Sequence, residues 1–79
     1  MRNIEVIRTW KQGRAAKSSN GNLSTDGVCL YSYRLVIGHR GESGFIQLQD
    51  YTARGTAGFR SMTTSHHVNM AKPYADVVY

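Results

Sequence analysis

The chain has 79 residues, ten basic against five acidic, with a formal charge of +5 and a pI near 9.8. A chain of this length supports one domain, residues 1–79, and buries only about 60–65% of the surface its unfolded form exposes. A deep enclosed active site is hard to build at that size, whereas a docking surface is easy, and the basic balance favours anionic partners.

In chain order, Ile4, Val6 and Trp10 alternate with Glu5, Thr9 and Lys11, which predicts a first strand over residues 3–10. Ile7 breaks that alternation. Residues 11–26 are dominated by Gly, Ser, Asn and basic side chains and read as a long basic loop, with room for a helical turn around Arg14–Lys17. Residues 27–39 read as one long strand, rich in β-branched and aromatic side chains. The glycines from Gly38 to Gly44 predict a turn. Alternation over Phe45–Tyr51 predicts a hairpin partner with Ile46 and Leu48 facing the core and Gln47 and Gln49 outside.

A second turn follows at Thr52–Gly58, then a short strand candidate at Phe59–Met62. The hydroxyls of Thr63, Thr64 and Ser65 suit a helix N-cap, so a helix is expected over about 64–72, carrying Val68, Ala71 and Ala75 on its apolar stripe and ended or kinked by Pro73. Val77-Val78-Tyr79 reads as a last strand or a loose tail. The expected architecture is α+β: a small antiparallel sheet of about four strands with one C-terminal helix packed over residues such as Leu30 and Leu48.

Cys29 is the only cysteine and lies in an apolar run, which fits a buried inert thiol and a reducing cytoplasm. No secretory signal pattern and no apolar stretch of membrane-spanning length is expected.

Basic residues are unevenly placed. Residues 1–25 hold Arg2, Arg8, Lys11, Arg14 and Lys17 against Glu5 alone, while the remainder holds five basic against four acidic side chains. Arg8, Lys11, Arg14 and Lys17 recur every third residue and flank Trp10, an arrangement able to grip phosphates or an acidic protein patch. A solvated, solubilising loop is the plainer reading of the same charges. Tyr31, Tyr33 and Phe45 suggest base stacking on an exposed sheet face, against the commoner role of half-buried sheet residues.

Other motifs carry little chemistry. His66 and His67 are neighbours that point apart on a helix, so they make a poor metal chelate. Gly41-Glu42-Ser43-Gly44 and Gly55-Thr56-Ala57-Gly58 both match a bare GxxG and read as turns. The five acids are scattered, and Ser65-His66 lacks an orienting third group. No catalytic residue, cofactor or metal site is expected.

Leu30-Tyr31-Ser32-Tyr33 followed by Ile37, and then Ser61-Met62-Thr63-Thr64-Ser65-His66-His67, resembles a group of small proteins from phages and other mobile elements. The resemblance covers roughly residues 28–71. Its pattern is a Tyr-Ser-Tyr strand, a hairpin and a Ser-x-Thr-Thr-Ser-x-His helix start. Position 34, where small residues or glycine are common in that pattern, is Arg34 here and adds a surface charge. In size and kind the chain is also similar to anti-CRISPR proteins.

That resemblance implies a non-enzymatic inhibitor in the cytoplasm of a bacterial host. It would bind a subunit of a class 1, type I CRISPR effector complex and block target DNA. Because the chain is basic, acidic DNA mimicry does not fit. Arg8, Trp10, Lys11, Arg14, Lys17 and Arg34 are the expected partner-binding residues. The alternative is a small basic nucleic-acid-binding phage regulator. A monomer or weak dimer is expected, with no membrane partner.

Overall fold

Residues 1–79 are described by a computed structural model. The first element is a helix, α1 (Asn3–Lys11), not the expected strand. Ile7, the residue that spoiled the alternation, is buried with Val6 and Trp10 on one helical face. The ends favour the helix as well. Glu5 reaches back to accept from the Arg2 amide at 3.0 Å, while Arg8 and Lys11 lie in the last turn. Acid at the start and base at the end both suit the helix dipole.

The expected loop over residues 11–26 contains two strands, β1 (Ala15–Lys17) and β2 (Leu23–Asp26), paired antiparallel. Their apolar signal is small because β1 is three residues long at a sheet edge and β2 buries Leu23 and Thr25 only. Asn20 makes the connecting turn, its side-chain oxygen accepting from the Ser18 hydroxyl at 2.8 Å and the Asn22 amide at 3.0 Å.

The single strand expected over residues 27–39 is a hairpin, β3 (Cys29–Ser32) and β4 (Leu35–Arg40), reversing at Tyr33-Arg34. Tyr33 occupies φ 59°, a left-handed conformation that glycine would adopt more cheaply. β4 also runs through Gly38, where a turn was expected. The Trp10 ring fills the space a side chain would need there: a Cβ on Gly38 would lie 2.6 Å from Trp10 Cη2. The turn falls at Gly41–Gly44 instead, before β5 (Ile46–Leu48), whose Ile46 and Leu48 are buried as expected.

Phe59–Ser61 forms no strand. Ser61 caps the second helix, α2 (Met62–Ala71), accepting from the Thr64 amide at 3.1 Å. The cap thus lies two residues before the expected Thr63–Ser65 hydroxyls. Ser61→Ala should cost about 1 kcal/mol in denaturant unfolding, and an unchanged midpoint would show that the cap contributes nothing. A 3₁₀ turn containing Pro73 (Lys72–Tyr74) ends the helix, and β6 (Val77–Val78) returns parallel to β5.

The fold is therefore α+β, with two helices and a six-stranded mixed sheet in the order β1-β2-β3-β4-β5-β6. Val6, Ile7 and Trp10 from α1 and Val68 and Ala71 from α2 join Leu23, Leu30, Ile37, Ile46 and Leu48 in one core. Both helices consequently lie on the same face of the sheet. No helix is long and apolar enough to cross a membrane.

Candidate functional site

The last turn of α1 gathers three cations, two of its own and one from β4, around a tyrosine from the 3₁₀ turn. Arg8 Nε donates to the Tyr74 hydroxyl at 3.2 Å, and the Lys11 ammonium lies 5.8 Å from the centre of the Tyr74 ring. Arg40, at the end of β4, donates from Nε to the Lys11 carbonyl at 3.2 Å and lays its guanidinium against Gly13. That carbonyl belongs to the unpaired set at a helix C-terminus, so Arg40 caps α1 and answers its dipole. The hydrogen bond to Tyr74 also holds Arg8 more firmly in its charged form.

No carboxylate lies within ion-pair distance of Arg8, Lys11 or Arg40; the two ion pairs of the chain are Arg2–Glu5 and Lys72–Asp50. The Asp50 carboxylate is held below its usual range, chiefly by the Thr52 hydroxyl at 2.6 Å and then by Lys72. It is committed to organising the 50–58 loop, where Gly55 packs directly on it and the Ala57 amide donates to the Asp50 carbonyl. Arg60 returns from that loop to lie over the Tyr51 ring at 5.5 Å.

Of the six residues singled out in the sequence, Arg8 and Lys11 share this cluster, and Arg14 follows in the adjoining turn. Lys17 ends β1 and Arg34 lies in the β3–β4 turn. Arg34 is six strand residues from Arg40, roughly 20 Å. Trp10 is not available to a partner. It is fully buried, and its indole N–H donates to the Val28 carbonyl at 2.9 Å. Arg40 and Tyr74 complete the cluster without any signal in the sequence. Neither has a local motif, and only tertiary packing brings β4 and the 3₁₀ turn against α1.

A second polar group sits inside the fold. Ser32 Oγ lies 2.7 Å from His67 Nδ1 and 3.0 Å from Thr64 Oγ1. Hydroxyl against imidazole is the pairing that nucleophilic catalysis uses. Here, however, Ser32 and His67 are shut away from solvent between β3 and α2, and no carboxylate orients the ring. The group instead ties the helix to the sheet. Burial lowers the His67 pKa, with the charge of His66 as a second cause. Cys29 is half-buried on the opposite face of the sheet, not in the core. No three His, Cys, Asp or Glu side chains converge as a metal site would require.

Comparison with protein-family models, curated proteins and solved structures finds no match. The functional reading therefore rests on the residues and their placement.

Proposed function

We propose that this chain is a non-enzymatic binding protein that engages nucleic acid through the Arg8, Lys11 and Arg40 cluster, with Tyr74 holding two of the cations in place. The observation that carries this reading is three neighbouring cations without an acidic partner on a chain of charge +5. Cations held by a tyrosine and a helix end lose little further freedom on meeting phosphate, and each phosphate neutralised releases a counterion. Arg14 extends the same surface.

The inhibitor expectation, docking on a type I effector complex, would use this surface against an acidic protein patch. Titration of the purified protein against a fluorescent oligonucleotide at rising salt separates the two. Wild-type affinity should fall with salt. The triple variant Arg8→Glu, Lys11→Glu, Arg40→Gln should bind at least a hundredfold more weakly. Its log K against log salt slope should be about 2 shallower, near 0.7 for each phosphate of a single strand that is no longer neutralised. No binding at low salt, together with recovery of effector subunits from a nuclease-treated pull-down, would replace the nucleic-acid reading with the inhibitor.

A further inference from the structure

The face of the sheet away from the helices has no cover. Residues that alternate with the buried set point outward on it: Lys17, Ser24, Tyr31, Val36, His39 and Phe45. Phe45 leaves 45% of its surface exposed, and Tyr33 at the tip of the β3–β4 hairpin leaves 50%. We propose that this open face takes single-stranded nucleic acid, with bases stacking on Tyr31, Tyr33 and Phe45. The proposal rests on the nucleic-acid reading above and names its substrate class.

The register sets Tyr31 and Phe45 on a diagonal across the face. Tyr31 pairs with Val36, and Phe45 stands opposite Gly41, five residues further along β4 and its continuation. The separation is roughly 16 Å along the strands and 10 Å across them, with His39 in between. Tyr33 lies two residues beyond Tyr31, in the β3–β4 turn. That span suits about four nucleotides, the lower end of site sizes on small β-sheet single-strand binders.

Tyr33 supplies an independent observation. Its φ of 59° is costly for a residue with a Cβ, and half of its surface is exposed. An aromatic ring kept in a strained turn, where glycine would fit, marks a position whose side chain does something other than stabilise the fold. Arg34 follows it in the same turn.

Charge favours the same occupant. Lys17 shares a cross-strand row with Ser24, Tyr31 and Val36, so a cation stands at the β1 edge of the face and Arg34 at its hairpin end. Against these two cations stands one carboxylate on this face, Asp26, which its hydrogen bonds keep ionised. It accepts from the Cys29 amide at 2.8 Å, the Val28 amide at 2.9 Å and the Tyr31 hydroxyl at 3.4 Å. Stacking requires unpaired bases, so the face selects single strands, while the Arg8 cluster supplies phosphate contacts without regard to pairing.

The test compares short oligothymidylate with its oligoadenylate duplex by fluorescence anisotropy, using wild type and the variants Tyr31→Ala, Tyr33→Gly and Phe45→Ala. Wild type should prefer the single strand. Each variant should weaken single-strand binding about 5- to 150-fold, the usual effect of losing one stacked base, and leave duplex binding unchanged. Tyr33→Gly should unfold no earlier than wild type, because glycine relieves the turn, so its loss of binding cannot be assigned to misfolding. Equal affinity for duplex and single strand would overturn the proposal. So would wild-type binding by all three variants while the Arg8, Lys11, Arg40 variant loses it, a result that leaves the basic-cluster reading standing. Absence of binding to either oligonucleotide removes both readings, and self-association through this face would then appear as a dimer dispersed by Phe45→Ala.

Discussion

Trp10→Ala should leave the chain at the edge of folding. The indole is fully buried at the centre of the core, between α1 and the sheet. Truncating a buried aromatic to alanine costs about 3–5 kcal/mol, because the transfer free energy is lost and the cavity collapses only in part. Removing the bond to the Val28 carbonyl adds about 1 kcal/mol. Domains of this size carry roughly 4–12 kcal/mol in total, so most of the stability is at stake. Urea unfolding followed by far-ultraviolet circular dichroism measures it without relying on tryptophan emission, and a loss below about 1 kcal/mol would contradict the packing described.

Gly38 supplies the complementary experiment. A Cβ there meets Trp10 Cη2 at 2.6 Å and Cζ2 at 2.8 Å. Gly38→Ala should therefore destabilise the wild type yet cost less beside Trp10→Phe, whose shorter ring vacates that space. Such non-additivity is the signature of two side chains competing for one volume.

The same tryptophan explains why part of the fold was unreadable. A period of two and a period of 3.6 both accommodate Ile4, Val6 and Trp10; only Ile7 distinguishes them, and it does so as a single exception. Gly38 reads as a turn because glycine usually marks one, whereas here it makes room for an aromatic ring arriving from a different element. Tyr33-Arg34 concealed a reversal because neither residue belongs to the Asn-Gly class that announces one. By contrast, Ile46 and Leu48, Val68 and Ala71, and the α+β class were legible, since each rests on a local period or a strong breaker such as Pro73.

The candidate surface was legible in part for the same reason. The N-terminal excess of charge is a linear property, so Arg8, Lys11 and Arg14 could be singled out. Trp10 neighbours them in sequence only, and on a helix the neighbours of a basic residue point elsewhere, in this case inward. Arg40 and Tyr74 arrive from 29 and 66 residues beyond their partners, Lys11 and Arg8. No spacing rule reaches that far.

His67→Ala is expected to remove a pH dependence as well as stability. The ring is buried between α2 and β3, so its loss leaves a cavity and should cost about 2–4 kcal/mol, although Ser32 and Thr64 can still bond to one another. Because burial lowers its pKa below 6.5, the unfolded chain binds a proton more readily than the folded one. Stability therefore rises with pH through the interval between the folded and unfolded pKa values. It is complete above about pH 6.5 and is lost as the solution is acidified towards the folded value, with a slope of at most about 1.4 kcal/mol per pH unit for one proton. The depressed carboxylates act lower on the scale. Glu5, Asp26 and Asp50 are bound to backbone amides or hydroxyls that favour the ionised form, so their contribution disappears only as pH falls below about 4. Urea midpoints measured from neutrality down to about pH 5 isolate the histidine. Wild type should weaken across that range and His67→Ala should not. A slope shared by both proteins would place the titrating group elsewhere and leave the Ser32, Thr64 and His67 contact as packing alone.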